Sequence, residues 1–134
     1  MENNKSNMSE PQKKYSDLEI KAKVLQIADW LADKKAKDPV IIDLRGKESY
    51  AEGIIIVSAT SSRHAQGLAE HVRFLAKQEK FEFLHDEGFQ TGQWILLDLN
   101  DVLVNIFQVG VRELYNLEGL WADAPRIELE SSPE

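Results

Sequence analysis

Apolar residues first recur with a helical period at Ile20, Val24, Ile27, Ala28 and Leu31, predicting a helix over 17–35 with one core-facing stripe. Ser16 and Glu19, three apart at its start, have the spacing of a capping box. Lys34, Lys35 and Lys37 gather at its far end, where the macrodipole is negative, and Asp38-Pro39 stops it. The pattern then changes period. "PVIIDLRG" holds a β-branched core between Pro39 and Gly46 and predicts a strand over 40–44, followed by a loop, "KESYAEG". Residues 54–57, "IIIV", are apolar at every position, the signature of an interior strand covered on both faces.

After that strand Ser61 or Ser62 caps a second helix, in which Ala65, Leu68, Ala69, Val72, Leu75 and Ala76 form an apolar stripe that ends near Glu79. "FEFLH" suits a third strand over 81–85, and "DEGFQTG" a flexible connection. Two further strands, 94–99 and 102–107, flank Asn100-Asp101 as a two-residue hairpin turn. A last helix carries Val111, Leu114, Tyr115, Glu118 and Trp121 at helical spacing, weakened by Gly119. The order α-β-β-α-β-β-β-α predicts a single α/β domain, a mixed sheet flanked by helices. Its expected limits are 16–122, with a polar, disordered lead-in over 1–15 and an acidic flexible tail over 123–134.

Composition narrows the function. At 134 residues and 43% hydrophobic, the chain has room for one sizeable core. It holds no cysteine, which excludes disulfides and thiolate metal sites and suits a reducing, cytoplasmic setting. No window approaches the apolar length of a membrane span, and no secretory h-region opens the chain. With 23 acidic against 16 basic side chains, net −7, the surface on average repels nucleic-acid backbones, so no direct nucleic-acid binding is expected, and basic protein partners are attracted.

Candidate chemistry is thin. Thr60, Ser61, Ser62, Arg63 and His64 join a buried strand to a helix; capping accounts for the hydroxyls, although free helix-end amides could also receive an anion. A nucleophile pair of Ser61 or Ser62 with His64 lacks an orienting acid. His64 and His71 are seven apart, too far along one helix to share a tetrahedral metal, so no metal site is expected. Asp43, Asp98 and Asp101 lie near strand ends, where a nucleotidyl-transfer enzyme would hold magnesium, but Asp98 and Asp101 straddle a turn. On the first hairpin strand Trp94, Leu96 and Asp98 share one face and Ile95, Leu97 and Leu99 the other, so both faces need cover, from helices or from a partner anchored on the aromatic.

Three blocks, "DPVIIDLRGKESYAEGIIIVSATSSRHAQGLAEHV", "WILLDLNDVLVNIF" and "VRELYNLEGLWADAP", resemble in order and spacing the ribosomal silencing factor family, also called RsfS, YbeB or Iojap. The resemblance implies a nucleotidyltransferase-like topology without catalysis and without a cofactor. It implies binding to the large ribosomal subunit through ribosomal protein L-fourteen, which sterically blocks joining to the small subunit and represses translation when nutrients run short. Carried over by position, the partner-binding residues are Trp94, Asp98, Leu99 and Asp101, with Trp94 and Leu99 as the apolar anchor and the carboxylates facing basic groups. On that reading Trp94→Ala abolishes subunit binding and leaves the fold intact, while Thr60–His64 form a structural corner in which Arg63 and His64 tie down neighbouring loops. The chain departs from the family pattern at Glu52-Gly53, where an aspartate and a bulky residue are usual, and at Asn105, where many members carry histidine.

The alternatives are a large-subunit assembly factor, a magnesium-dependent nucleotidyltransferase using Asp43, Asp98 or Asp101, and a homodimer that pairs through the apolar hairpin.

Overall fold

Seven consecutive residues, Gly53–Ala59, are buried on both faces, and this strand is the centre about which the molecule is organised. The computed structural model describes residues 19–129; the expected lead-in over 1–15, Ser16 of the capping box and residues 130–134 lie outside them. In chain order the elements are α1 (Ile20–Asp33), β1 (Lys37–Asp43), β2 (Gly53–Ala59), α2 (Ser62–Gln78), β3 (His85–Glu87), β4 (Trp94–Asp98), β5 (Val102–Gln108), α3 (Val111–Tyr115) and α4 (Leu117–Leu120). The five strands form one mixed sheet in the order β1-β2-β5-β4-β3. Only β2 and β5 run parallel; β1 with β2, β4 with β5 and β3 with β4 are antiparallel.

Strand alternation divides the core in two. Ile41, Ile55, Val57, Val104, Ile106, Ile95, Leu97 and Leu99 meet the stripes of α1 and α2 in the larger cluster. Ile42, Ile54, Ile56 and Phe107 face the other way, under Val111, Leu117, Trp121 and Ala124. Each fully buried aliphatic side chain contributes about 1.5–3 kcal/mol, so β2, which feeds both clusters, is apolar except at Ser58, whose buried hydroxyl accepts from Arg112 at 2.9 Å. Gly53 is fitted to this packing: a Cβ there would stand 3.0 Å from Val24 Cγ1, so any larger residue requires Val24 to shift.

Several expectations change. Glu19 is the N-cap of α1, with ψ of 151°, so the helix begins at Ile20 and Glu19 is not its third residue. β1 begins at Lys37, earlier than expected, because a register shift between Lys37 and Val40 absorbs Asp38 (φ 51°) and Pro39. The third strand is His85–Glu87, later than 81–85: after Lys80 (φ 62°) the Phe81 N–H donates to the Ala76 carbonyl at 2.8 Å and its ring packs on Trp30, which holds this residue at the helix end, and pairing with β4 starts only where the Leu84 N–H donates to the Asp98 carbonyl at 2.8 Å. The last helix is two short ones, broken at Asn116, whose left-handed backbone (φ 48°, ψ 52°) ends α3 while its side chain accepts from the Gly119 N–H. Part of the expected tail is ordered against the sheet. Pro125 accepts from the Asp43 N–H at 2.8 Å, Ile127 donates to the Ile41 carbonyl at 2.9 Å, and Ala124 and Ile127 are buried, which covers the outer edge of β1.

Candidate functional site

The two faces of the sheet are covered unequally. α1 and α2 roof the first, whereas α3, α4 and the following strap roof only the β1–β2–β5 side of the second. On β4 the alternation places Ile95, Leu97 and Leu99 under the helices and leaves Trp94 and Leu96 half-buried on the open side. Trp94 packs on Phe107 (ring centroids 4.9 Å apart) and Tyr115 (4.7 Å), and its Nε1–H donates to Asn105 Oδ1 at 2.9 Å. Asn105 is itself buried, so this hydrogen bond satisfies a group that water cannot reach. Tyr115 remains exposed beside it, and Leu114 and Leu120 on α3 and α4 extend an apolar surface outward.

Acidic groups border this floor. Asp98 is buried; it accepts from the Tyr50 hydroxyl at 3.0 Å and from the Asn100 N–H at 2.8 Å, and His85 Nδ1 stands 3.7 Å away. The hydrogen bond to Asp98 raises the Tyr50 phenol above its usual value, since ionising it would place two negative charges together. Glu87 pairs across from Leu96 and contacts His85 Nε2 at 3.1 Å. The result is a half-exposed aromatic and aliphatic floor with the exposed Glu87 carboxylate at its rim and the buried Asp98 carboxylate engaged beside it, a surface able to seat an apolar side chain beside a basic one.

Of the four positions expected to bind a partner, Trp94 and Asp98 therefore sit together on this face. Leu99 does not join them; it is fully buried under the helices, because an odd step from Trp94 along a strand reverses the side chain. Asp101 is engaged by the buried Lys23 ammonium at 2.5 Å, and its carbonyl accepts from the N–H groups of Glu52 and Gly53. Asp43 pairs instead with Arg45, whose hydrogen bonds hold its carboxyl below the usual range. The three aspartates considered for magnesium are thus each held by different groups, and among the described residues no three His, Cys, Asp or Glu side chains cluster as metal ligands would. Tyr50 and Tyr115 were missed as members of the face: Tyr50 lies in a loop, and Tyr115 carried the spacing of a buried helical stripe.

The strand-to-helix corner is built from local hydrogen bonds. Ser61 Oγ accepts from the His64 N–H at 3.0 Å, capping α2. His64 Nδ1 accepts from the Thr60 N–H at 3.0 Å, which leaves Nε2–H to donate to the Lys34 carbonyl at 2.8 Å, so the ring joins the end of α1 to the start of α2. Ser62 donates to the Thr91 carbonyl and accepts from Gln108 Nε2, across a close approach in which a Cβ on Gly92 would collide. Arg63 is exposed, with no side-chain hydrogen bond among the described residues.

Comparison with known proteins agrees with this architecture. A crystal structure of a Chromobacterium violaceum protein superposes with a TM-score of 0.76 at 27% identity, covering 86% of this chain and 95% of that one. The ribosomal silencing factor of Halalkalibacterium halodurans is 36% identical over 108 residues, 80% of this chain and 92% of that protein. That of Haemophilus influenzae is 41% identical over 96 residues, 72% and 94% respectively. The model of the family described as "Ribosomal silencing factor during starvation" matches residues 17–134, and the chain belongs to that family.

Proposed function

We propose that this chain binds the large ribosomal subunit through ribosomal protein L-fourteen and, by occupying that surface, prevents joining of the small subunit, acting in the cytoplasm without a chemical step. The observation that carries the reading is the uncovered sheet face, where Trp94, Leu96 and Tyr115 form an apolar floor beside the exposed carboxylate of Glu87. Such a face fits an interface core with a charged rim, and the net charge of −7 favours a basic partner. Steric exclusion asks only for affinity and position, which membership of the silencing-factor family supports.

Leu96→Glu and Tyr115→Ala test it, because both alter the floor without removing the Trp94–Asn105 hydrogen bond. Loss of a central anchor costs about 2 kcal/mol or more, roughly 30-fold in affinity. Equilibrium binding to isolated ribosomal protein L-fourteen is expected to weaken by at least that factor in variants that keep wild-type circular dichroism. Unchanged affinity in folded variants would remove this face from the account.

A further inference from the structure

Net charge averages over the whole surface and hides a local segregation. Arg45, Arg73 and Arg112 each pair with a carboxylate, at 2.8, 3.0 and 2.9 Å. Lys34, Lys35, Lys37 and Arg63 are exposed and have no ion pair among the described residues, as is true of Lys21, Lys77, Lys80 and Arg126, but only the first four gather at one place. The three lysines follow α1, Arg63 lies in the first turn of α2, and His64 clamps the two segments together through the Thr60 N–H and the Lys34 carbonyl. With Asp33, Thr60 and His64 the lysines line an open cleft of about 590 Å³. Asp33 and Asp38 are the nearby acids in sequence, and Asp38 lines a separate cavity with Ser58, Arg112, Glu113 and Glu118.

The sheet register fixes where this edge lies relative to the docking face. Lys37 pairs with Ser58, Ser58 with Phe107, and Phe107 with Trp94, so Lys37 and Trp94 occupy one rung of the sheet. Three strand spacings separate them, about 14 Å. Arg112 of α3 stands between them, donating to Ser58 Oγ at 2.9 Å, so only a partner that extends past α3, as a ribosomal subunit does, meets both Trp94 and the lysines.

Resting on the docking reading above, we propose that this basic edge contacts the phosphate backbone of ribosomal RNA beside the protein partner on the large subunit. A phosphodiester strand presents successive charges that can meet three lysines, one arginine and the amides of Ser62 and Arg63, which have no intrahelical acceptor in the first turn of α2. An isolated carboxylate on a protein would meet only one of them. The edge supplies orientation and salt-sensitive affinity, and the apolar floor supplies specificity.

The test is the salt dependence of binding of the full chain to purified large subunits, compared with its Lys34→Gln/Lys35→Gln/Lys37→Gln variant. Each phosphate contact adds about 0.7–0.9 to the slope of log affinity against log salt. Three lost contacts lower the slope by about 2–3, so between about 50 and 200 mM salt the wild type loses roughly 20- to 40-fold more affinity than the variant. Binding to isolated ribosomal protein L-fourteen is expected to stay unchanged. Arg63→Gln, which touches a different element, is expected to lower the slope by about one contact's worth. Wild-type slope and affinity in folded variants would overturn the proposal, as would an equal loss toward the isolated ribosomal protein, which would make the edge a protein contact. Failure of the wild type itself to bind large subunits would instead defeat the docking reading, and this proposal with it.

Discussion

Trp94 joins fold and function, and its replacement separates the two. Trp94→Phe keeps a ring against Phe107 and Tyr115 but removes the Nε1–H that satisfies Asn105 Oδ1 at 2.9 Å. Leaving a buried acceptor unpaired costs about 1–3 kcal/mol. Trp94→Ala removes that bond and two aromatic contacts worth about 0.5–1.5 kcal/mol each. Since Trp94 is only half-buried, its hydrophobic contribution falls below that of a fully enclosed tryptophan, and the alanine variant should lose roughly 3–4 kcal/mol against about 1–2 for phenylalanine. Urea unfolding followed by circular dichroism measures both, with an unchanged m value expected. Trp94→Ala is thus expected to lower stability as well as binding, so its binding losses are to be read beside its urea midpoint. A cost below about 0.5 kcal/mol for both variants, within the range of ordinary surface substitutions, would refute the Trp94–Asn105 argument.

His64→Ala removes hydrogen bonds at 3.0 and 2.8 Å that join α1 to α2, and should cost about 1–2 kcal/mol in the same urea assay. His71, on α2, has an Nε2 that is buried without a hydrogen-bond partner among the described residues, and burial, aided by Lys34, lowers its pKa from the ordinary 6.5. The unfolded chain therefore takes up the proton first: the stability tied to neutral His71 is complete above 6.5 and is lost as pH falls from there through the depressed folded value. The urea midpoint of the wild type should drop more than that of His71→Leu between about pH 7.5 and about pH 5. Truncation after Trp121 strips Pro125 and Ile127 from β1 and exposes its edge. A lower urea midpoint and concentration-dependent self-association in sedimentation are the expected results.

Long-period features were legible in the residues alone. The stripes of α1 and α2, the doubly buried β2 and the hairpin all follow from apolar spacing, which burial enforces directly. Contacts formed at a distance were not. Phe81 belongs to a strand by propensity, yet the end of α2 and Trp30 capture it first. Asn116 interrupts a continuous helical stripe because asparagine tolerates the left-handed region and its side-chain oxygen caps the next turn by accepting from the Gly119 N–H. At the candidate site, two-residue alternation was enough to unite Trp94 with Leu96 and Asp98 and to set Leu99 apart. Tyr50 reaches Asp98 from 48 residues away, and Lys23 reaches Asp101 from 78, pairings that no local pattern carries.

Sucrose-gradient sedimentation of purified large and small ribosomal subunits, with and without the protein, tests the central claim most directly. The account predicts that the protein travels with the large subunit, that joined ribosomes disappear as it is added, and that Leu96→Glu restores them. Undiminished joining with the protein left at the top of the gradient would contradict it.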